Sequence, residues 1–168
     1  MNHLRLLAVR ERSVNFVLTL LRVTVGVVMA AHGWSKLSDT AGTAASFAEL
    51  GLPLPSLLVY VAVLTELFGG LALIFGLLTR YVALGIACTL VVAIVFAHLG
   101  NGLMAKNGGF EYPLTLLLVA LLFVVNGGGT LSIDHALERR RQRHAAHVAT
   151  VRTQRARAEA RRAAHGSI

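Results

Sequence analysis

Two charged residues interrupt apolar runs where a charge needs a reason. Glu66 lies inside LLVYVAVLTELFGGLALIFGLL (57–78), and Arg22 lies inside the run that begins near Val14. A carboxylate in such surroundings can accept a proton or hold a cation. A guanidinium beside it can hold that charge and tune its affinity for protons. His32, Lys36, His98 and Glu111 stand near the ends of neighbouring apolar runs. Two histidines and a carboxylate suit a divalent metal, and two histidines on different helices suit a haem. No HxxxH or ExxH pairing is present, so neither is specific, and the site is expected to hold no metal. Cys88 is the chain's single cysteine and has no CxxC neighbour, so thiol redox chemistry within the chain is not expected.

The elements that must position these residues are membrane spans. The chain is 55% hydrophobic and 14% charged, against about 25% charged for an ordinary soluble domain. Four runs, Val14–Trp34, Pro55–Leu78, Tyr81–Leu99 and Tyr112–Leu131, approach the ~20 residues that cross ~30 Å of hydrocarbon. Continuous runs of this length satisfy their backbone in lipid only as helices. The first resembles a signal peptide in having basic residues before it, but its length and Arg22 identify a retained helix. The expected organisation is an all-α, four-helix transmembrane bundle over residues 14–134. A short segment, 1–13, precedes it and a basic Ala/Arg-rich tail, 135–168, follows.

Arg5, Arg10 and Arg12 precede the first span, Arg80 links the second to the third, and Arg139, Arg140, Arg141 and Arg143 open the tail. The other two loops carry only Lys36 and Lys106. Lys and Arg mark the cytoplasmic side, so both termini are expected inside. The link TRY (79–81) makes spans two and three a tight hairpin. The longer loops 35–54 and 100–111 make the outer half the better place for a site. Trp34, Tyr60, Tyr81 and Tyr112 fit interfacial aromatic belts.

A charge at a span's centre costs about 2.5–3.5 kcal/mol, so Arg22 and Glu66 are expected to face inward. At ~1.5 Å per residue Arg22 lies roughly 12 Å and Glu66 roughly 18 Å from the inner edge, within reach of a pair. Arg22, Gly26, Met29, Gly33 and Lys36 form one helical stripe, and Glu66 shares another with Ala62, Gly69 and Gly70. Gly85, Thr89, Ala93 and Ala97 recur every fourth residue, a small-residue face for close helix packing. Gly26, Gly33, Gly69, Gly70, Gly85 and Ala93 are thus the expected packing positions. The blander role for Glu66 is a structural pair that sets helix register.

RVTVGVVMAAHGWSKL (22–37), LGLPLP (50–55), TELFGGLALIFGLLTR (65–80), AHLGNG (97–102), GGFEYPLTLL (108–117) and NGGGTLSID (126–134) follow in an order and spacing that resembles the DoxX family of small membrane proteins. HGWSKL, TELFGG and EYPL carry most of the specificity, and the likeness covers about residues 14–135. The resemblance implies a four-helix bundle in the plasma (inner) membrane. It implies kinship with subunits of a terminal quinol oxidase and of thiosulfate:quinone oxidoreductase, and with oxidative-stress proteins that assemble with soluble redox enzymes. Arg22, His32, Gly33, Lys36, Glu66, Gly69, Gly70, His98, Glu111 and Tyr112 match the family pattern. The family often has Gly-Pro-Gly-Arg where this chain has Gly127, Gly128, Gly129 and Thr130, which removes a rigid turn and a cation. The long tail also departs from the common pattern.

Three roles stay open. The first is an accessory membrane subunit of a quinone-linked or stress-related redox system. Glu66 would then accept protons, Arg22 tune it, and His32 and His98 bond a quinone's carbonyl oxygens. The second is a proton-coupled transporter component, although no span is broken by a Gly/Pro pair. The third is a scaffold without chemistry. No flavin, dinucleotide or iron–sulfur motif is present, so a quinone or a partner's cofactor must carry any electrons. The tail has almost no large apolar residue. It is expected to be an exposed helix fraying towards Ile168, or partly disordered, drawn to anionic lipid head groups. Nucleic acid is the weaker candidate partner, since no stacking aromatic accompanies the arginines.

Overall fold

A computed structural model describes residues 2–165, with side chains over residues 13–154. Arg5, Arg10 and Arg12, and the chain's end at Ile168, lie outside those descriptions. The described residues are helical and contain no strand. α1 is Asn2–Ser38, and its apolar part is Ser13–Ser38. The second span, Pro55–Phe75, is α3 (Pro55–Val63), a π-helical turn (Leu64–Phe68) and α4 (Gly69–Phe75). The third, Thr79–Asn101, is α5 (Thr79–Ala93), a second π turn (Ile94–His98) and a 3-10 turn (Leu99–Asn101). α6 is Glu111–Asn126, the shortest crossing. These helices are an all-α membrane bundle.

The spans pack in sequence order, and α6 returns against α1. Val25, Met29, Leu73, Ile86, Ala87, Leu90, Leu116 and Ala120 form the core between them. Large apolar side chains such as Phe16, Leu64, Phe75, Leu118 and Val125 cover the outside, which suits a lipid solvent. Trp34, Tyr60 and Tyr81 are exposed, as interfacial aromatics should be.

Boundaries differ from the hydropathy reading wherever glycine ends a helix. Gly76, at φ 68°, stops α4 in a Schellman turn, with Leu77 N–H donating to Ala72 O and Gly76 N–H to Leu73 O. The link is therefore residues 76–78, and Thr79 and Arg80 already belong to α5. Gly127, at φ 73°, stops α6 five residues before the apolar run ends. The segment 35–54 is not an open loop. α1 continues to Ser38, and α2, Thr40–Glu49, follows with Asp39 Oδ1 accepting from Gly42 N–H at 2.8 Å.

Glycines set how closely α1 meets the second span. A Cβ on Gly33 would strike the Leu67 backbone, and one on Gly70 would lie 2.6 Å from Ala30 N. Gly26 is confined likewise by Gly70 O. Gly69 and Gly85 are different. A Cβ there would meet Val82 Cγ1 at 3.4 Å and Thr65 Cγ2 at 3.7 Å, ordinary contact distances. At Gly85, therefore, the third span's small stripe meets its neighbour at ordinary spacing and not by a close approach.

Residues 135–168 form a unit apart from the bundle residues 1–134. α7, Ile133–His165, runs through it as a continuous helix. Its described arginines are exposed, and Gln142 bonds Glu138 at 2.9 Å.

Candidate functional site

The small residues of the third span line a cavity. It has a volume of about 400 Å³ and opens between the second span and α5, beside Gly85, Thr89, Ala93 and Ala97. Leu58, Val61, Val92 and Phe96 complete the sides, and Phe47, Leu50 and Leu52 from α2 and its exit roof it. Against these apolar walls stand Lys36, Glu66, His98, Thr65, Thr89 and Cys88.

Glu66 is held by Lys36, with Nζ and Oε2 2.5 Å apart. The Glu66 side chain is 7% exposed and that of Lys36 23% exposed. Lys36 reaches it from the last turn of α1, at the end of the Arg22–Lys36 stripe. Glu66 sits in the π turn Leu64–Phe68, and His98 ends the π turn Ile94–His98. A π turn adds a residue to the helix and re-aims its side chains, and such turns frequently mark functional sites. Here two of them serve one cavity.

His98 Nδ1 lies 2.7 Å from Gly108 O. A carbonyl can only accept, so Nδ1–H donates, and in that tautomer of an imidazole Nε2 is the acceptor. The Thr65 and Thr89 hydroxyls meet at 3.0 Å across the wall. The site therefore offers a cation, a carboxylate, an imidazole and hydroxyls in an apolar enclosure, with little net charge.

Three expected site residues lie elsewhere. Arg22 does not pair with Glu66. It is 2% exposed and donates from Nη2 to Leu131 O at 2.7 Å, beside Gly76 at the bundle's other end. The depth estimate failed because α1 extends past the rim formed by residues 76–78 and 127–132, which is level with Arg22. His32 is exposed, its ring 6.4 Å from that of Tyr112. Glu111 ties the 99–110 segment, accepting from Ala105 N–H at 2.7 Å. Among the described residues no three His, Cys, Asp or Glu converge as a metal site.

Thr65, Thr89 and the α2 roof were absent from the expected site. Asp39, an N-cap residue ahead of an Ala-rich stretch, was the available signal for α2. The other cluster, around Arg22, is structural. Asp134 accepts from Leu78 N–H and Thr79 N–H, both at 2.8 Å, so it caps α5 rather than only opening α7. Burial raises its pKa, but hydrogen bonds from Thr79 and Leu78, helped by the Arg22 charge, outweigh this and leave it below the ordinary 3.8.

The DoxX family profile matches residues 17–99. The chain is 37% identical over 115 residues to the Bacillus subtilis (strain 168) protein named "Putative oxidoreductase CatD", covering 68% of this chain and 82% of that one. It is 34% identical over 121 residues to "Inner membrane protein YqjF" of Escherichia coli (strain K12), covering 71% and 90%. "Inner membrane protein YphA" of the same organism is 28% identical over 122 residues, covering 70% and 87%. No solved structure matches it. On these matches the chain belongs to the DoxX family.

Proposed function

We propose that this protein is the membrane subunit of a quinone-linked or oxidative-stress redox system. In this reading the cavity at Lys36, Glu66 and His98 binds a quinone head group. The observation that carries it is the part-buried Lys36–Glu66 pair set in a largely apolar enclosure. A quinone is a neutral, lipid-soluble molecule with an oxygen at each end of its ring. Lys36 donates to one carbonyl oxygen, and Glu66 and His98 accept from the hydroxyls of the quinol form. Reduction takes two electrons and two protons per quinone. The electrons come from the redox centre of a soluble partner, and Glu66 relays a proton.

The printed name of the Bacillus relative, an oxidoreductase, agrees with this chemistry. The inner-membrane relatives support a plasma-membrane location. The basic residues flanking the spans support cytoplasmic termini, with the α7 arginines meeting anionic lipid head groups.

The test is purification from the native membrane in mild detergent, with quinone and quinol binding measured on the product. The expected result is a soluble oxidoreductase in fixed ratio and an affinity for the quinol form lowered about tenfold or more by Glu66→Gln, for loss of a charge-assisted hydrogen bond. A preparation without a partner in several gentle detergents, with quinol binding indifferent to Glu66→Gln in stable protein, overturns the proposal. Weight then passes to proton-coupled transport or to a scaffold.

A further inference from the structure

The cavity continues beyond its polar residues. A second recess, of about 340 Å³, lies on the same seam between the second span and α5, beside Leu64, Phe68, Leu78, Tyr81 and Val82. The two share Thr65 and Gly85 as wall residues. At this junction Gly85 has no side chain, and a Cβ there would stand in ordinary contact with Thr65 Cγ2 at 3.7 Å. The second recess has no charged residue. Leu64, Phe68, Leu78 and Tyr81 are all exposed on the bundle's outside, where lipid would lie. From Gly85 to Leu78 the furrow follows α5 for roughly 10 Å at ~1.5 Å per residue.

Resting on the reading proposed above, we infer that this furrow is the track of the quinone's hydrocarbon tail, which enters from the bilayer between the second and third spans. Three observations favour this occupant. The roof of Phe47, Leu50 and Leu52 covers the cavity on the α2 side, which leaves the seam as the apolar approach. The Lys36–Glu66 pair has no net charge, so it suits a neutral head with donor and acceptor oxygens. A phospholipid phosphate would instead face Glu66. Finally, the furrow runs from that pair along uncharged walls, as an amphiphile with its head anchored at one end requires.

The test uses full-length protein in one detergent and two probes, a quinone with a ten-carbon tail and the same head with a methyl group in its place. Wild type is expected to bind the tailed probe at least about tenfold more tightly, which burial of a few methylenes supplies. Val82→Phe, at a wall residue of the second recess alone, is expected to bring that preference close to one and leave methyl-probe affinity within about twofold, because Val82 does not line the head-group cavity. Independently, a photoreactive group at the tail's end is expected to label residues 78–82 of wild type. A tail preference unchanged by Val82→Phe, labelling spread over the lipid-facing surface, or displacement of the label by excess phospholipid overturns the inference. Lys36-dependent binding of both probes with equal affinity overturns the tail track and leaves the head-group reading standing. Binding of neither probe overturns both.

Discussion

Lys36 and Glu66 are worth more as a pair than either is alone. Glu66 is nearly enclosed, so removing Lys36 leaves a carboxylate without its counter-charge, a change that costs about 3–5 kcal/mol for a fully buried pair. Lys36 keeps 23% of its side chain exposed, so Lys36→Met is expected at the lower end or below, about 1–3 kcal/mol. Glu66→Gln alone strands an ammonium that can still reach water, and should cost less. The double variant Lys36→Met/Glu66→Gln is expected to lose less than the sum, with a coupling of about 0.5–3 kcal/mol. Unfolding of all four proteins in one detergent measures this, and simple additivity would show that the two charges do not sense each other. Half of this pair was legible in the sequence. The stripe from Arg22 to Lys36 put both cations on the face that Glu66 meets, and insertion cost demanded a partner. Which cation wins depends on where the rim of the bundle lies along α1. Hydropathy marks where α1 becomes apolar, whereas the rim is set by Gly76 and by the turn after Gly127.

At the scale of elements, the glycines that end helices govern the geometry, and each leaves backbone groups to satisfy. The link 76–78 delivers α5 with Leu78 at φ 49° and without a side-chain cap of its own. Asp134, fifty-five residues beyond Thr79, supplies the cap, and its backbone N–H donates back to Gly76 O at 3.0 Å. Sequence reading assigns Asp134 to the helix that follows it, because capping rules are local. A cap delivered across the bundle has no local signature. Its pKa is depressed in the folded state, so its stabilisation is complete above the unfolded value near 4 and fades as pH falls through the folded value. Asp134→Asn is therefore expected to lower stability by about 0.5–2 kcal/mol at pH 7. It should also remove the part of the acid-induced loss that Asp134 contributes below pH ~4. Melting curves from pH 7 to 3 on both proteins check this, and parallel losses would mean that Asp134 is not the titrating cap. The two π turns were equally invisible beforehand. Each adds a residue to its helix, and no single-sequence period reports that.

At the scale of the whole molecule, the bundle has two unlike ends. One carries the 99–110 segment and α2, which roofs the cavity. The other carries the 76–78 link, the turn before Ile133, and the start of α5 with Arg80. α1 enters from this second end, since Arg22 lies beside Gly76 there and Lys36 near the roofed end. The four-helix plan was readable because span length and composition are one-dimensional quantities. Orientation is also one-dimensional, through the count of Lys and Arg beside the spans. In the sequence, Arg80 and the arginines before Ser13 and after Asp134 adjoin the span ends on the link side, against Lys36 and Lys106 on the other. Such an excess holds an end on the cytoplasmic side during insertion. A green fluorescent protein fused after Ile168 is therefore expected to fluoresce, and alkaline phosphatase fused at the same point to stay inactive for want of an oxidising compartment. Active phosphatase with a dark fluorescent fusion would reverse the orientation. The result bears on the chemistry as well. With the link end inside, the α2 roof and His98 face the outer compartment, so protons reaching Glu66 by the shortest route come from outside. The opposite orientation would draw them from the cytoplasm and reverse the effect of a pH gradient on any quinone chemistry at Glu66.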